Sequence, residues 1–323
     1  MASIMPKRPL NVKRSLRVAG GKWQVQTRLL AYSQTIIGLM NEEPMPCVRP
    51  LTCPICHQPL KKVEGSLRCN QNHVFDIARE GYVNLMTGHK RPKIQGDDKV
   101  MLAARRRFLG KGYYQPLSDA INEIVLAHFP GQNGVVLDIG CGEGHYLGQL
   151  RPHLPAGTCT FGLDFAKDAA RLAAKRYPAS RFVVSDVNGR IPFADQSIHI
   201  MLNIFAPRNP AEFARVAVPG GRLLIVIPGP NHLRQLREEL DLLDIEAEKQ
   251  PRIVAQMAGL FTLQETQSLT FELDLPQPDL TDLVKMTPNY WHMTPTKQAQ
   301  LQAMPHFQTS AHFQILAFIK AKG

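Results

Sequence analysis

The feature that most restricts the fold of this chain is a glycine-rich loop that directly follows a short apolar run. Val135 to Ile139 is apolar apart from Asp138, and Gly140, Gly142 and Gly144 follow at alternate positions. Such a run predicts a buried strand, and glycines let the backbone bend sharply and approach a ligand without a Cβ in the way. The segment therefore predicts a strand, a ligand-binding loop and a helix, in that order.

Apolar runs and helical stretches alternate from this point to the end of the chain. Strands are predicted at Val135 to Ile139, Cys159 to Leu163, Phe182 to Ser185, Ile198 to Ile204, Arg222 to Ile227, Phe271 to Leu275 and His312 to Ile319. Helices are predicted at Gly144 to Leu150 and at Ala166 to Arg176. This alternation predicts βαβ units, and hence an α/β fold with a mainly parallel sheet. The last strand follows a helical insert without a long crossover, so we expect it to be antiparallel.

The glycine spacing and two carboxylates indicate which ligand the loop takes. A dinucleotide fingerprint needs G-x-G-x-x-G, whereas His145 stands here at the last glycine position. The second strand ends at Asp164, where a carboxylate can accept hydrogen bonds from both ribose hydroxyls of an adenosine ligand. The third ends at Asp186, placed to meet an adenine edge. Together these features favour S-adenosylmethionine over a dinucleotide.

We expect the cofactor to be held by the loop, the following strand ends and two ring side chains outside them. The predicted contacts are Tyr114, Asp138, Gly140, Gly142, Glu143, Gly144, His145, Asp164, Asp186 and His232. Structural alternatives are that Asp138 orients the loop and that Glu143 is a helix N-terminal acid. Tyr113 and Tyr114 either cover the cofactor or pack the preceding helix, and His232 either contacts the cofactor or has no role.

Three cysteines and one histidine form a second motif, Cys53-x-x-Cys56 followed by Cys69-x-x-x-His73. Three sulfurs and one imidazole make a complete tetrahedral zinc set, so the zinc is expected to be structural. A module of roughly 40 residues needs a metal or another cross-link to fold, and zinc binding contributes on the order of 10 kcal/mol in small zinc peptides. The alternatives are ordinary thiols or a redox pair of cysteines, and His57 is a rival to His73 as the fourth ligand.

The composition is that of a folded cytoplasmic protein. The 323 residues allow two or three domains at roughly 100–200 residues each. Apolar residues make up 44%, enough for a core, and charged residues only 20%, which excludes a wholly disordered chain. No apolar stretch approaches the ~20 residues of a membrane span, and the N-terminus lacks an apolar signal core. In a reducing compartment, Cys47 is expected to be a free thiol.

The net charge of +11 is concentrated near the N-terminus, where residues 1–50 contain eight basic and two acidic residues. A basic balance favours a polyanion such as RNA, because phosphate contacts release counterions. The alternative is that a basic tail is only solvated. RNA contacts are expected from Lys61-Lys62, from His89 to Lys93 and from Arg105 to Arg107.

These motifs resemble those of the class I methyltransferases, and in particular the bacterial 23S rRNA guanine-N1-methyltransferases of the RlmA group. The resemblance covers about residues 51–323. It rests on the segments Cys53 to Leu60, Phe75-Asp76, Glu80 to Leu85, Ala104 to Leu109, Tyr114 to Leu117, Leu137 to Gly144, Ala206-Pro207, Pro219 to Gly221 and Met286 to Pro288. The family has no counterpart of residues 1–50, which leaves that segment unexplained.

The resemblance implies a zinc module in front of a Rossmann-like methyltransferase domain that uses S-adenosylmethionine. The family methylates N1 of a guanine in a 23S rRNA hairpin near the peptide-exit tunnel. Its two subgroups target neighbouring guanines, and one is linked to macrolide resistance; the sequence does not assign the subgroup. It also leaves open whether the chain acts as a homodimer.

We divide the chain accordingly into four parts. They are a basic tail at 1–46, a zinc-binding RNA-recognition module at 47–88, a basic helical linker at 89–130 and the Rossmann-like methyltransferase domain at 131–323. The tail is expected to lie outside the folded domains, either as a disordered segment or as the product of an over-extended start site.

Methylation of guanine N1 needs alignment of the two reactants and a route for the N1 proton. The candidate catalytic residues are Asn203, Arg208 and Trp291, and the general base is not identified. Trp291 either stacks on a flipped guanine or belongs to the core. The loop from Asn203 to Arg208 departs from the Asn-Pro-Pro-aromatic loop of exocyclic-amine methyltransferases, which favours a ring nitrogen.

Two other functions are consistent with parts of the sequence. A small-molecule methyltransferase, acting on a quinone or an antibiotic, would need neither the zinc module nor the basic linker. A non-catalytic zinc RNA-binding protein would not need the intact loop from Gly140 to Gly144 with Asp164 after it.

Overall fold

The computed structural model describes residues 12–18, 47–87, 98–131, 133–246 and 248–321, the first of these by its backbone alone. The strands in these ranges are β1 (Val12–Val18), β2 (Lys61–Val63), β3 (Ser66–Arg68), β4 (Val74–Asp76), β5 (Tyr82–Asn84), β6 (Val135–Ile139), β7 (Cys159–Asp164), β8 (Arg181–Val184), β9 (Ile198–Ile204), β10 (Ala217–Pro228), β11 (Phe261–Pro276) and β12 (His306–Lys320). The helices are α1 (Lys99–Gly110), α2 (Gln115–Ala127), α3 (His145–Leu150), α4 (Lys167–Arg176), α5 (Pro210–Val216), α6 (Arg234–Leu240), α7 (Lys249–Met257), α8 (Gln277–Lys285) and α9 (Pro295–Ala303).

Nine strands form one sheet in the order β1-β11-β12-β10-β9-β6-β7-β8-β5. Neighbours from β10 to β5 are parallel, whereas β12 and β11 are antiparallel to their neighbours. The central order β8-β7-β6-β9-β10 is that of a doubly wound fold, and the strand order reverses between β6 and β9. The expected Rossmann-like fold and the antiparallel last strand are both confirmed.

Side chains from the two faces of the sheet enter two separate apolar clusters. On β10, Leu224 and Val226 join residues of α1, α2, α3, α6 and α8. Leu223 and Ile225 point to the opposite face and join α5, α7 and the zinc module. Parallel strands covered on both faces carry continuous apolar runs, which is why the sequence predicts the central strands so closely.

The zinc module packs on the second face of the sheet instead of forming a separate unit. Strands β2, β3 and β4 form a small antiparallel sheet of their own. The next strand, β5, pairs in parallel with β8 and becomes an edge strand of the large sheet. Leu51 forms a bridge to Phe193, and both side chains are buried in the second cluster. The module expected at 47–88 therefore shares an apolar cluster with the main sheet.

The described part of the expected linker, residues 98–130, consists of two helices that cover the first face of the sheet. Phe108 of α1 and Leu117 of α2 are fully buried there. Helix α1 also contacts α8, where Arg107 donates two hydrogen bonds of 2.6 and 2.8 Å to Asp282. These helices belong to the main domain.

The prediction that Cys47 is a free thiol is wrong, because Cys47 forms a disulfide with Cys159 at the start of β7. The two Cα atoms lie 5.3 Å apart across a sequence separation of 112 residues. Packing of the zinc module on the sheet brings the two cysteines together, and no local pattern in the sequence could reveal that contact.

The segment expected to be a tail contributes one strand to the sheet. The backbone of β1 pairs antiparallel with residues 265–271 of β11 at the sheet edge. Backbone pairing at an edge requires no period in the apolar residues, and the sequence shows none there. The remainder of 1–46 and the basic run from His89 to Lys93 lie outside the described residues. None of the helices in the described ranges has the length and apolar character needed to cross a membrane.

Candidate active site and metal centre

The glycine loop lies at the carboxyl ends of β6, β7 and β9. Gly140, Gly142 and Gly144 all have positive φ angles, of 74°, 55° and 80°. The N–H of Gly140 donates to the carbonyl of Leu163 at 2.7 Å. A Cβ on Gly140 would lie 2.4 Å from the Cβ of Ala206, so this position requires glycine by conformation and by space. Open α/β sheets bind ligands at this edge, where the strand order reverses.

Two predicted carboxylates stand at the ends of the next strands. Asp164 is almost buried, and its two oxygens accept hydrogen bonds of 2.8 Å from the N–H groups of Gly142 and Ala166. This carboxylate therefore ties the glycine loop to the end of β7. Asp186 is partly exposed and accepts from the N–H of Asn188 at 2.9 Å.

Asp138, the last polar residue before the loop, is buried. Its Oδ2 has no hydrogen-bond partner among the described residues. Burial, followed by the negative charge of Asp164, raises the pKa of Asp138 to about 8. The carboxyl group is therefore mostly protonated at pH 7 and carries a donor hydrogen beside the loop.

Glu143 and His145 are both buried behind the loop. The Glu143 carboxylate is held by Nη1 of Arg176 at 2.9 and 3.1 Å, which supports its alternative role as a structural acid. The Nε2 of His145 lies 3.4 Å from Oγ of Ser118, and its Nδ1 has no partner in the described ranges. Burial, with a smaller effect of Arg176, lowers the pKa of His145 to about 4, so this imidazole is neutral at pH 7.

Tyr114 and His232, two predicted cofactor contacts distant in sequence, meet in one aromatic cluster. Their rings lie 5.0 and 4.7 Å, respectively, from the ring of Phe313. The Nδ1 of His232 accepts from the backbone N–H of His312 at 3.2 Å. Burial, and then His312, lowers the pKa of His232 to about 3. The Tyr114 hydroxyl is buried without a described partner, so it can serve a ligand.

These residues fit S-adenosylmethionine. Well-packed proteins leave few buried polar atoms without partners. Five such atoms belong to predicted site residues: Tyr114 Oη, Asp138 Oδ2, His145 Nδ1, Asn203 Oδ1 and Arg208 Nε. With the glycine cradle and the carboxylate of Asp164, they provide donors and acceptors for an adenosyl ligand that carries an amino-acid tail.

The loop after β9 carries two of the candidate catalytic residues. The side-chain amide of Asn203 donates to the carbonyl of Pro207 at 2.8 Å, and Nη1 of Arg208 donates to the carbonyl of Ala206 at 3.3 Å. Burial, and then a neighbouring cation, lowers the pKa of Arg208. Phe205, which the sequence did not single out, has a φ of 54° and a ring side chain that is 46% exposed. A strained aromatic at a site edge is a typical functional feature.

The insert between β11 and β12 carries the third candidate. Trp291 lies in the 3₁₀ helix Pro288–His292 and is 44% exposed, so the interpretation that it belongs to the core is wrong. Its ring lies 5.0 Å from the ring of Tyr290. The hydroxyl of Tyr113 donates to Asp279 of α8 at 2.6 Å, so Tyr113 is tied to the insert.

Arg105, which the sequence predicted as an RNA contact, lies against the glycine loop. Its Nη1 lies 3.4 Å from the position of a Cβ on Gly142, and its Nη2 donates to the carbonyl of Met286 at 3.0 Å. The helical spacing in the sequence indicated this position, because Arg105 stands four residues after Met101 and three before Phe108. Both are buried, so the arginine shares the apolar face of α1.

The other basic candidates in the described ranges divide between α1 and the zinc module. Arg106 is exposed on α1, while Arg107 is paired with α8. Lys61 and Lys62 lie on β2, with Arg68 opposite on β3, and all three are exposed. The exposed cations of the zinc module therefore form a separate basic surface.

The metal-ligand atoms of Cys53, Cys56, Cys69 and His73 all lie within 4.8 Å of one another. Nδ1 of His73 is 3.5 Å from Sγ of Cys53 and 3.4 Å from Sγ of Cys69, and the sulfurs of Cys56 and Cys69 are 3.5 Å apart. Zinc–sulfur bonds of about 2.3 Å in a tetrahedron separate the ligands by roughly 3.5–3.8 Å. The module therefore holds one structural zinc ion, with no ligand position left open.

The turn around the first two cysteines excludes the rival ligand. The N–H of Ile55 donates to Sγ of Cys53 at 3.4 Å, and the N–H of Cys53 donates to the carbonyl of Gln58 at 2.8 Å. His57 is exposed and lies outside the cluster, so His73 is the fourth ligand.

Two protein families match this chain in the order of the structural parts. The family described as RlmA, N-terminal matches residues 51–93, which contain the zinc ligands. The family described as methyltransferase domain matches residues 136–221, from β6 into β10.

Relatives match over most of the chain. A 23S rRNA (guanine(748)-N(1))-methyltransferase from Streptomyces fradiae is 38% identical, over 78% of this chain and 90% of its own length. Two proteins with provisional 23S rRNA (guanine-N(1)-)-methyltransferase names are similar. One, from Micromonospora griseorubida, is 36% identical over 76% of this chain and 88% of its own length. The other, from Bacillus subtilis, is 32% identical over 83% and 96%.

Proposed function

Because the chain belongs to the family of 23S rRNA (guanine-N1-)-methyltransferases, we propose that it transfers a methyl group from S-adenosylmethionine to N1 of a guanine in a 23S rRNA hairpin near the peptide-exit tunnel. The observation that carries the proposal is the joining of a glycine-loop cofactor site and a four-ligand zinc module in one fold. Since the substrate is ribosomal, we place the enzyme in the cytoplasm.

The cofactor, when bound, supplies an electrophilic methyl group on a sulfonium. In the transfer, the bond from guanine N1 to the methyl carbon forms as the sulfur–carbon bond breaks, and the electron pair stays on sulfur. The glycine loop and Asp164 hold the donor in line, and alignment of this kind contributes about 7–11 kcal/mol to lowering a barrier. Tyr114 and Phe313 exclude water beside it.

The charges of the site suit a cationic donor. The imidazoles of His145 and His232 are neutral at pH 7, because burial lowers both pKa values. Asp138 is mostly protonated at pH 7. A sulfonium therefore meets no buried imidazolium, which would repel it.

The loop after β9 is positioned to handle the guanine. As N1 loses its proton to solvent water, negative charge spreads to O6, and the guanidinium of Arg208 stabilises that charge. The buried Oδ1 of Asn203 accepts a hydrogen bond from the guanine edge. A flipped base stacks on an exposed aromatic side chain, for which Phe205 and Trp291 are the candidates.

Binding of the hairpin is assigned to two exposed regions. Lys61 and Arg68 on the zinc module contact phosphates, which makes affinity fall as salt concentration rises. Trp291 on the insert contacts a base of the hairpin loop, since folded RNA is read through unpaired bases and shape.

The test is to incubate the enzyme with radiolabelled S-adenosylmethionine and unmodified 23S rRNA, and to map the labelled nucleotide. Methylation at N1 blocks the Watson–Crick edge, so reverse transcription should stop one nucleotide before the modified guanine. Label on another atom, or label on a small molecule but never on RNA, contradicts the proposal.

A further inference from the structure

We infer that Arg105 binds the carboxylate of the methionine tail of S-adenosylmethionine, and that the carbonyl of Met286 holds its guanidinium in place for this task. The inference rests on the proposed function only in that the cofactor is S-adenosylmethionine. It adds a cofactor-binding residue on α1, outside the strand ends and loop that the sequence identified.

The guanidinium of Arg105 approaches the backbone of the loop at Gly142, where no side chain keeps it away. Nη1 of Arg105 lies 3.4 Å from where a Cβ on Gly142 would stand, and the residue is half-buried. The N–H of Gly142 is used by Asp164 at 2.8 Å. The carboxylate expected to bind the ribose and the cation inferred to bind the tail therefore both lie next to Gly142.

Charge makes the carboxylate the matching part of the ligand. The tail of S-adenosylmethionine has one anionic group, the carboxylate, beside an ammonium and a sulfonium. The buried acid of the loop, Glu143, is already paired with Arg176. Arg106 and then Arg105 also lower the pKa of Glu143, both smaller effects than burial and Arg176, so the positive charges of α1 act on the loop. A planar guanidinium with five N–H donors suits a carboxylate in two-point contact.

The hydrogen bond to Met286 ties this contact to the insert. Nη2 of Arg105 donates to the Met286 carbonyl at 3.0 Å, and the N–H of Met286 donates to the carbonyl of Asp282. The side chain of Asp282 accepts two hydrogen bonds from Arg107, two residues along α1. The position of Arg105 thus depends on α8 and on the insert that presents Trp291.

The experiment is calorimetric titration with two ligands, S-adenosylhomocysteine and 5′-methylthioadenosine. The second keeps the adenosine and the thioether but has no amino-acid tail. In Arg105→Met, the affinity for S-adenosylhomocysteine should fall about 10- to 100-fold, as for loss of a hydrogen-bonded ion pair. The affinity for 5′-methylthioadenosine should stay within about twofold, and Arg105→Lys should recover part of the loss.

Arg106→Met is the matched control, since it removes the same charge from the next, exposed position of α1, and that charge also acts on Glu143. It should leave both affinities nearly unchanged. Parallel losses for both ligands in Arg105→Met would show that Arg105 only supports the fold, and unchanged affinities would show that it does not touch the tail. Either result overturns the inference.

Failure of the proposed function looks different. If the wild-type protein bound neither ligand, the cofactor assignment itself would fall. If it bound both ligands and methylated no RNA, the substrate assignment would fall while the comparison between Arg105 and Arg106 still stood.

Discussion

At the scale of single residues, the site is built from ionisable groups that burial keeps uncharged. Burial raises the pKa of Asp138 to about 8 and lowers the pKa values of His145 and His232 to about 4 and 3. The buried Oδ2 of Asp138 and Nδ1 of His145 have no described partners, so both remain available to a polar ligand. These three groups therefore make the region around the loop polar without adding charge to it.

Asp138→Asn should change how stability depends on pH. The pKa of Asp138 is higher in the folded than in the unfolded protein, so its folded state holds a proton that the unfolded state releases. The wild type should lose stability as pH rises from about 4 to 8. The variant cannot ionise at this position, so it should lack that loss. Its free energy of unfolding, relative to that of the wild type, should be higher at pH 9 than at pH 5. Urea unfolding at pH 5, 7 and 9 measures this, and parallel curves would contradict it.

Gly140→Ala should destabilise the protein and prevent binding of S-adenosylhomocysteine. Its φ of 74° costs an alanine about 1–2 kcal/mol, and overlap with Ala206 adds roughly 1–3 kcal/mol. Gly220→Ala is the matched control, because Gly220 has the same φ and open space around its Cβ position. Equal free energies of unfolding for the two variants would refute the packing role of Gly140.

At the scale of elements, local sequence patterns predicted the strands that are buried along almost their whole length. The predicted bounds of β6 and β9 agree with the structure because both strands are apolar and buried on two faces. For β11 the prediction covered residues 271–275, whereas the strand spans Phe261–Pro276. Its burial alternates over much of its length, so half its residues are polar. Short β5 gave no signal, since its pairing with β8 depends on the packing of the whole module.

The residues of the candidate site also divide into those that local patterns predict and those that tertiary packing determines. The zinc ligands are close in sequence, and their spacing alone indicates a zinc site, so all four were predictable. The contact of Arg105 with the glycine loop joins a helix to a loop that lies 37 positions further on. The exposed ring of Phe205 depends on a backbone angle that its neighbours impose. Contacts of these kinds follow from tertiary packing and leave only a weak trace in the sequence.

Cys69→Ser should remove the zinc and loosen the module. Cys69 is buried between its two partner ligands, so a hydroxyl leaves the tetrahedron incomplete. Zinc released to a coloured chelator should show less than one equivalent retained, and amides of β2, β3 and β4 should exchange hydrogen faster. Cys141→Ser, a buried cysteine outside the cluster, should retain the metal. Retention of one tightly held equivalent by the Cys69 variant would contradict the ligand set.

At the scale of the whole molecule, the zinc module and the main sheet form one body. They share an apolar cluster, the edge strand β5 and the disulfide from Cys47 to Cys159. The substrate-binding surface assigned to the module is therefore fixed relative to the cofactor loop. A hairpin bound on the module meets the reactive edge at a set distance.

Reduction of the disulfide should lower the stability of this body. A disulfide typically contributes about 2–4 kcal/mol to stability, so the melting temperature of the wild type should fall in the phosphine reductant TCEP. Cys47→Ser should melt at the lower temperature with or without reductant, while Cys141→Ser should respond like the wild type. A wild-type melting temperature unaffected by TCEP would show that the bond does not stabilise the fold.

The edge strand β5 also has a consequence for synthesis of the chain. Tyr82–Asn84 is already joined to its own hairpin by a bridge between Ile77 and Val83, but its partner β8 begins at Arg181. During synthesis, β5 therefore has no partner in the large sheet until about a hundred further residues have been added. The zinc-bound hairpins of the module form early, because their strands are close in sequence. They hold β5 in place until β8 has been synthesised and can pair with it.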